Sequence, residues 1–564
     1  MEAMESTNNT STFIADVFER LDASFIRYKS IERVLHITIL HLKPSMQWRY
    51  LVLLFALFFF SSAHASAALK PYPQIPVAPT VFSTGNTFYV SKDIGKDSYL
   101  QKKAMNPLTP WATINRGVSM LKAGDTLIIL AAKSAYNERV ECDRSGNEKN
   151  WITIKGAEGQ RPTVASFVLG KRAKYISLSN LQVMPDTEGK YLERGLVYLD
   201  RGVEHFLIEG IEIDGKGSAL WGLQLGKDAI DKNKVSQGYI RNVVVHHTVG
   251  YGVYIENGTE NVVFDHVTSR NSLKDDGFSG RANPWERDSR NKNLYFVDSK
   301  AYDNAGDGFD IGADETQYMA RCFSYRNGNA GFKVWGGVEN GGDIWLVNNV
   351  AFNNGHTAIA IKNISEANVF ILHNTFVENE KLGGGVEVTT VSTTGSGSDP
   401  KDIKMGVPHL FIYNNLIVSR TKGGIPVFAF YNKDTKVIGS NCNLFAGLTR
   451  SNLLCQLRDA RMRVVGKFSV NGGEDIVHDT EQSLVACGYA DELAEAQSLI
   501  NFGVKIDALG FKKASNNDYQ LTSTSPGVNR GCALGVKVDI KNNKRNIDAP
   551  NIGAFEYIPE NTDQ

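Results

Sequence analysis

The chain has 564 residues, enough for several domains or for one elongated repeat domain with a substantial core. Lys and Arg together number 61, as do Asp and Glu, so no net charge attracts nucleic acid or an anionic membrane, and we expect no nucleic-acid partner. A hydrophobic content of 42% with 22% charged residues is that of an ordinary folded protein.

A secretory signal is predicted near the N-terminus. The stretch MQWRYLVLLFALFFFSSAHASAA combines a basic residue, an apolar run over residues 51–60 and an A-x-A cleavage site at residues 63–65. A transmembrane anchor is the alternative, but this run is short for a span of about 20 residues. We therefore expect a secreted, extracellular or periplasmic protein without stable membrane insertion after cleavage. The predicted segments are an upstream extension outside the fold (1–45), a signal peptide (46–65) and one folded domain (66–558).

A helix is predicted just inside that domain, in the stretch TPWATINRGVSMLKAGD. Trp111, Ile114, Val118 and Leu121 fall on one helical face, and Gly124 follows as a stop signal. Such a helix can cover the first edge of a repeat domain, which would otherwise expose unpaired strand backbone.

The middle of the chain repeats a unit of two or three short strand segments. Clear copies are NVVFDHVTSRNSLKDDGFSG from 261, NLYFVDSKAYDNAGDGFDIG from 293 and YMARCFSYRNGNAGFKVW from 318. A glycine before an apolar residue marks each copy, and Gly252, Gly277, Gly308 and Gly331 are 25, 31 and 23 residues apart. This period predicts a parallel β-solenoid, in which coils lie about 4.8 Å apart and equivalent positions align. The last third, about 440–558, is less regular, but no linker separates it.

The cysteine and histidine residues show no metal-binding spacing. Four of the six cysteines lie beyond residue 440, and because export permits disulfides, a C-terminal pair is predicted. Cys322 lies in a core-like strand and is interpreted as a buried thiol. The adjacent pair His246 and His247 lacks a third ligand nearby in sequence and is interpreted as structural.

Alignment of the coils brings several charged residues together. Asp276 and Asp307 each precede a marker glycine, whereas Asp310 and Lys333 each lie two residues after one, and Asp275 aligns with Gly306. The sequence thus predicts three or four carboxylates within two coils, with one ammonium beside them. Like charges at this spacing repel unless a cation is bound, and hard oxygen ligands suit Ca²⁺. The alternative is aspartates that cap bends, with Lys333 in a surface ion pair.

The segment GDGFDIG…NGNAGFKVWGG resembles the pectate lyases of polysaccharide lyase family 9, most strongly over residues 200–400. The resemblance implies an all-β, single-stranded right-handed parallel β-helix, here with an N-terminal capping helix. It also implies that Asp307 and Asp310, with Asp276 from the preceding coil, bind Ca²⁺ and that Lys333 is the Brønsted base. Gly306 departs from the family, which usually has an acid there, and Asp275 is the candidate replacement.

These residues suit β-elimination on an acidic polysaccharide, with pectate or polygalacturonate the first candidate. Lys333 must be neutral to accept a proton; nearby Ca²⁺ would lower its pKa, whereas the aspartates alone would raise it, so an alkaline optimum is expected. Arg281 could line a sugar groove and Trp335 could stack on a sugar ring, although a solvated surface position and a packed core position are their alternatives. A monomer is expected.

Two rival functions remain open on the sequence. A glycoside hydrolase or a uronan epimerase can use the same fold, because the fold does not choose the reaction. A non-catalytic adhesin or carbohydrate-binding β-helix is the second rival, in which Gly306 would mark a decayed site.

Overall fold

The computed structural model divides the chain into two compact units, Met1–Tyr72 and Pro73–Gln564. The upstream extension and the signal peptide predicted for 1–65 fall outside the residues that the structure describes. Among the described residues, no helix is both long and apolar enough to cross a membrane. The described residues are 70–186, 194–226, 233–256, 258–280, 291–336, 342–364, 367–377, 386–389, 409–418, 428–430, 436–448, 453–458, 464–469, 499–502 and 509–559.

The predicted capping helix is confirmed at Ile114–Met120, and a short helix, Gln101–Ala104, precedes it. The hydroxyl of Thr113 accepts a hydrogen bond from the amide of Arg116 and caps the helix N-terminus. Gly117 packs against Leu127 and Val90, where a Cβ atom would lie less than 3 Å from both side chains. The helix therefore covers the interior of the first coil.

Parallel strands stack into three ladders, which run along the solenoid. The strands of the first ladder are Thr87–Val90, Thr126–Ile129, Ile152–Gly156, Lys174–Ser179, Glu204–Glu209, Val235–Arg241, Thr259–Asp265, Lys292–Val297, Asp314–Ala320, Asp343–Val347, Asn368–Leu372, His409–Tyr413 and Lys436–Asn441. The strands of the second ladder are Tyr136–Cys142, Thr163–Leu169, Gln182–Val183, Glu212–Asp214, Val244–His246, Thr268–Arg270, Lys300–Tyr302, Phe323–Tyr325, Val350–Phe352, Thr375–Val377, Leu416–Val418, Leu444–Leu448 and Leu499–Phe502.

The third ladder branches from the second at Thr163–Leu169, whose last residues pair with Val197–Leu199. Its strands are Val197–Leu199, Leu223–Leu225, Val253–Ile255, Phe278–Gly280, Phe309–Gly312, Phe332–Gly336, Ile359–Ile364, Val386–Thr389, Phe428–Phe430, Leu453–Arg458 and Val464–Ser469. Only its last pairing is antiparallel within the described chain. The predicted parallel β-helix is thus confirmed.

Stacks of like side chains fill the interior. Phe278 and Phe309 stack with ring centroids 4.5 Å apart, and Phe309 and Phe332 with centroids 5.1 Å apart. At the bend between the second and third ladders, buried asparagines link successive coils. Asn304 donates to Asn327 at 2.9 Å, and Asn327 donates to Asn354 at 3.0 Å. These rows of stacked phenylalanines and hydrogen-bonded asparagines hold equivalent positions of neighbouring coils in register.

The described C-terminal residues 509–559 pack on the outer face of the second ladder. A small cluster of buried residues there includes Phe352, Val377, Tyr519 and Ile552. In this segment Phe511–Lys513 pairs antiparallel with Asp518–Leu521, with a 3-10 turn at Ala514–Asn516 between them. The predicted C-terminal disulfide is present as Cys442–Cys532, and Cys322, like Cys142, is a buried free thiol.

Candidate functional site

The third ladder places Asp310 and Lys333 side by side on its outer face. Asp310 pairs in register with Lys333, as predicted, and in the same column Ser279 lies one coil earlier and Ala360 one coil later. The adjacent Phe309 and Phe332 are fully buried. Because side chains alternate along a strand, the two charged groups point away from the core.

Asp276 and Asp307 stack at the bend that leads into the same strands. The amide of Asp307 donates to Oδ1 of Asp276 at 2.7 Å, and the amide of Ala330 donates to Oδ1 of Asp307 at 2.8 Å. Gly308 follows directly, at a point where a Cβ atom would lie 2.0 Å from Oγ of Ser324. Close packing therefore requires a glycine at this position.

We call Asp276, Asp307 and Asp310 the acidic cluster. One carboxylate oxygen of each lies within 4.8 Å of the others, and all three residues are at most 9% exposed. Nζ of Lys333 lies 2.5 Å from Oδ2 of Asp310 and 3.2 Å from Oδ2 of Asp307. The Lys333 side chain remains 23% exposed, so a bound molecule could reach it.

The acidic cluster has three buried carboxyl groups and a single ammonium group, that of Lys333, in contact with them. Burial, together with the carboxylates of Asp310 and Asp307, raises the pKa of Asp276 to about 8. Burial also raises the pKa of Asp310 to about 6, against the opposing effect of Lys333. Burial lowers the pKa of Lys333, but the carboxylates of Asp310 and Asp307 outweigh it and hold that pKa above its usual value. The lysine is therefore protonated in this arrangement.

Among the described residues, two polar atoms beside the cluster have no hydrogen-bond partner. Oδ1 of Asp310 is buried and accepts no hydrogen bond from the described residues, and Nε1 of Trp335 is likewise buried without a hydrogen bond. The indole N–H lies near the Asp310 carboxylate, outside hydrogen-bond geometry, and acts to lower the pKa of Asp310. Oδ1 of Asp310 is thus a buried oxygen with no hydrogen-bond donor among the described residues, and two further carboxylates lie beside it. Such a group of oxygens suits Ca²⁺, which binds oxygen ligands.

The remaining predicted residues are placed differently. Asp275 lies next to the cluster but is not among its grouped oxygens. Burial raises its pKa, and a hydrogen bond with Tyr251 opposes that rise. At Gly306 a Cβ atom would lie 2.3 Å from Oδ1 of Asp276, so an acid there would need the neighbouring coil to shift. Arg281 lies outside the described residues.

The sequence analysis missed Tyr251. Its hydrogen bond with Asp275 connects a residue of the preceding coil to the edge of the acidic cluster. The signal was present, because Tyr251 lies just before the marker Gly252, one position nearer the glycine than Asp275 lies to Gly277. An alignment that scored only acids and lysines could not include a phenol.

The geometry defines a parallel β-helix with an acidic, lysine-bearing site on the outer face of one ladder. A family model described as "Pel9A-like, right handed beta helix region" matches residues 95–390, more than half of the chain, and the protein belongs to that family. The match includes the whole acidic cluster and Lys333. A comparison with curated protein sequences finds no match.

Several solved structures are similar to this chain at low identity. The crystal structure of pectate lyase Pel9A is 16% identical, covering 85% of this chain and 98% of its own, with a TM-score of 0.43. The complex of XylC with xylose is 10% identical over 84% of this chain and 99% of its own, with a TM-score of 0.44. A mannuronan C-5 epimerase A-module of Azotobacter vinelandii is 14% identical over 68% and 89%, with a TM-score of 0.34.

Proposed function

We propose that this protein is an exported polysaccharide lyase that cleaves a polyuronate, with pectate as the first candidate, by calcium-assisted β-elimination. The observation that carries the proposal is the contact of Lys333 with a buried acidic cluster, at positions aligned by register within the matched family region. A surface ion pair alone would not explain three clustered buried acids, because burying charge without compensation is costly.

The acidic cluster would hold the metal. When bound, Ca²⁺ would supply a Lewis acid that stabilises the negative charge developing next to the proton that leaves. Oδ1 of Asp310, buried and without a partner among the described residues, is the oxygen most available to a cation. The amide hydrogen bonds to Asp276 and Asp307 orient the other two carboxylates.

Lys333 would accept the proton on the carbon next to the substrate carboxylate. The electron pair of that C–H bond forms a carbon–carbon double bond, and the bond from the next carbon to the glycosidic oxygen breaks. That oxygen leaves with the bonding pair and takes a proton from solvent to become a hydroxyl. Only the neutral amine can do this, yet Asp307 and Asp310 now hold it protonated. When the carboxylates bind a metal ion, they stabilise the Lys333 ammonium less. Metal binding to the acidic cluster would therefore favour the neutral amine of Lys333.

Trp335 would contact the sugar. It follows Lys333 by two residues on the same strand and therefore faces the same side of the ladder. Its indole N–H has no hydrogen-bond partner in the described part of the chain, so it can donate to a hydroxyl or carboxylate oxygen. Arg281 and Asp275 remain proposed contributors to substrate binding and to the metal site, respectively.

A panel of polyuronates, each assayed with Ca²⁺ and with excess EDTA, tests the proposal. We expect one polymer to yield products with the ultraviolet absorbance of an unsaturated uronide, and EDTA to abolish that absorbance. New reducing ends without a double bond would indicate a hydrolase, inversion at C5 without cleavage an epimerase, and binding without turnover a carbohydrate-binding protein. Each of these results would overturn the lyase assignment.

A further inference from the structure

A second group of potential metal ligands lies on the second ladder. His246 ends the strand Val244–His246, and its register partner one coil earlier is Asp214. The sequence shows no third ligand near His246 and His247, but the fold supplies one, Asp214, from 32 residues before His246. We call Asp214, His246 and His247 the histidine cluster; its ligand atoms lie within 4.8 Å of one another.

The backbone turns both imidazoles to the same side. His247 has φ of 54°, in the left-handed region that the equivalent Asn271 and Asn353 also adopt. Neighbouring residues of a regular strand would face opposite ways, but this turn brings Nδ1 of His247 to 2.7 Å from Nδ1 of His246. The amide of Gly215 donates to the carbonyl of His246 at 2.8 Å and fixes the adjacent coil against it.

Two of the three separations are close to those around a tetrahedral ion, and the third, between the two nitrogens, is a hydrogen-bond distance that metal binding would have to lengthen. Oδ1 of Asp214 lies 3.5 Å from Nδ1 of His246 and 3.7 Å from Nδ1 of His247, and the two nitrogens are 2.7 Å apart. Ligands about 2.0–2.1 Å from a tetrahedral Zn²⁺ are separated by roughly 3.3 Å. We propose that the histidine cluster binds Zn²⁺ or a similar divalent transition metal through these three atoms.

The surroundings of His246 favour the ligand role. Its Nε2 lies 3.3 Å from Oε1 of Glu212, so a proton on Nε2 leaves the lone pair of Nδ1 directed into the cluster. A carboxylate behind a ligating histidine is the usual partner that fixes the tautomer.

The charges near the histidine cluster favour a transition metal, which binds imidazole nitrogen, over Ca²⁺. Nζ of Lys216 lies 3.0 Å from Oδ2 of Asp214, and Arg270 is the register neighbour of His246 on the following coil. These cations offset the carboxylates of Asp214 and Glu212, so the site offers little negative charge to attract Ca²⁺. Two imidazoles with one carboxylate instead suit Zn²⁺, Co²⁺, Ni²⁺ or Cu²⁺.

The site has a route to solvent. His246 is nearly buried, whereas the His247 side chain is 48% exposed and borders a groove of about 680 Å³. The groove continues along the bend past Asn271, Asp303 and Arg326. Three protein ligands leave one tetrahedral position, which water or an oxygen of a molecule in the groove can occupy.

Calorimetric titration of the metal-stripped full-length chain with ZnCl₂, in excess Ca²⁺, tests this proposal. We expect one Zn²⁺ per chain, and His247→Asn should weaken affinity by about tenfold or more while keeping the left-handed backbone. His266→Asn is the matched control, because His266 has φ of 53° and a neighbouring carboxylate at Asp265. With Co²⁺ as probe, the visible absorption of tetrahedral cobalt should appear in the wild type and in His266→Asn and be lost in His247→Asn.

Equal affinity in His247→Asn and the wild type, or the absence of Zn²⁺ binding, would overturn the proposal. Loss of binding in His266→Asn alone would place the metal at Asp265 and His266 instead. The thermal midpoint without metal shows whether His247→Asn is folded. If it is not, Asp214→Asn decides, since that change removes one ligand charge and retains the side-chain volume.

Discussion

At the scale of single residues, Asp276 shows what the fold does to the acidic cluster. Its pKa rises to about 8 because burial and neighbouring carboxylates disfavour the charged form. An acid with a raised folded-state pKa stabilises the fold fully below its unfolded pKa of about 3.9, and this stabilisation is lost as the pH rises towards about 8. Asp310 acts in the same direction up to a pH of about 6.

In EDTA, we therefore expect the thermal midpoint of the wild type to fall between pH 5 and pH 8, with a smaller fall in Asp276→Asn. Added Ca²⁺ should raise the wild-type midpoint more at pH 8 than at pH 5, because deprotonated carboxylates bind the cation. Asp303→Asn is the control, since Asp303 pairs with Arg326 at the surface, and should keep the wild-type slope. Identical slopes in the wild type and Asp276→Asn would show that the cluster does not carry this charge penalty.

At the scale of elements, a row of hydrogen-bonded asparagines, Asn304, Asn327 and Asn354, stabilises the bend between the second and third ladders, next to the acidic cluster. Asn327 both accepts from Asn304 and donates to Asn354, and it is 2% exposed. Asn327→Ala leaves buried polar partners unsatisfied, which should lower the free energy of unfolding by about 2 kcal/mol. A shift of the denaturation midpoint measures this, with the exposed Asn516→Ala as control; equal midpoints for both variants would contradict a stabilising role for this row.

The same elements show which features the sequence could predict. The spacing of the marker glycines predicts correctly that Asp310 lies beside Lys333, because stacked parallel coils bring residues one repeat apart into register. The same spacing does not predict that Asp214 lies close to both His246 and His247. The alternation of side chains along a strand predicts opposite directions for the two histidines, and the left-handed turn at His247 breaks that alternation. Nor does the spacing predict the steric limit at Gly306, which depends on how the preceding coil packs.

At the scale of the whole molecule, the solenoid explains how the two proposed metal sites can lie on separate surfaces of one chain. The acidic cluster lies on the third ladder and at the bend that leads into it, whereas the histidine cluster lies on the second ladder and at the turn that follows it. The helix Ile114–Met120 covers the first coil, and residues 509–559 cover part of the second ladder. The proposed lyase function depends on the claim that one side chain, Lys333, accepts the proton.

Lys333→Arg tests that claim most directly, with the formation of unsaturated uronide from the best polymer as the measurement. A guanidinium stays protonated at any working pH, so we expect no detectable product at any pH, whereas the wild-type rate should rise with pH as the amine loses its proton. Lys300→Ala, at an exposed position of the second ladder, should retain wild-type turnover. Calcium affinity in Lys333→Arg should stay measurable by calorimetry, which separates loss of the base from loss of the metal. Wild-type turnover in Lys333→Arg would contradict the account.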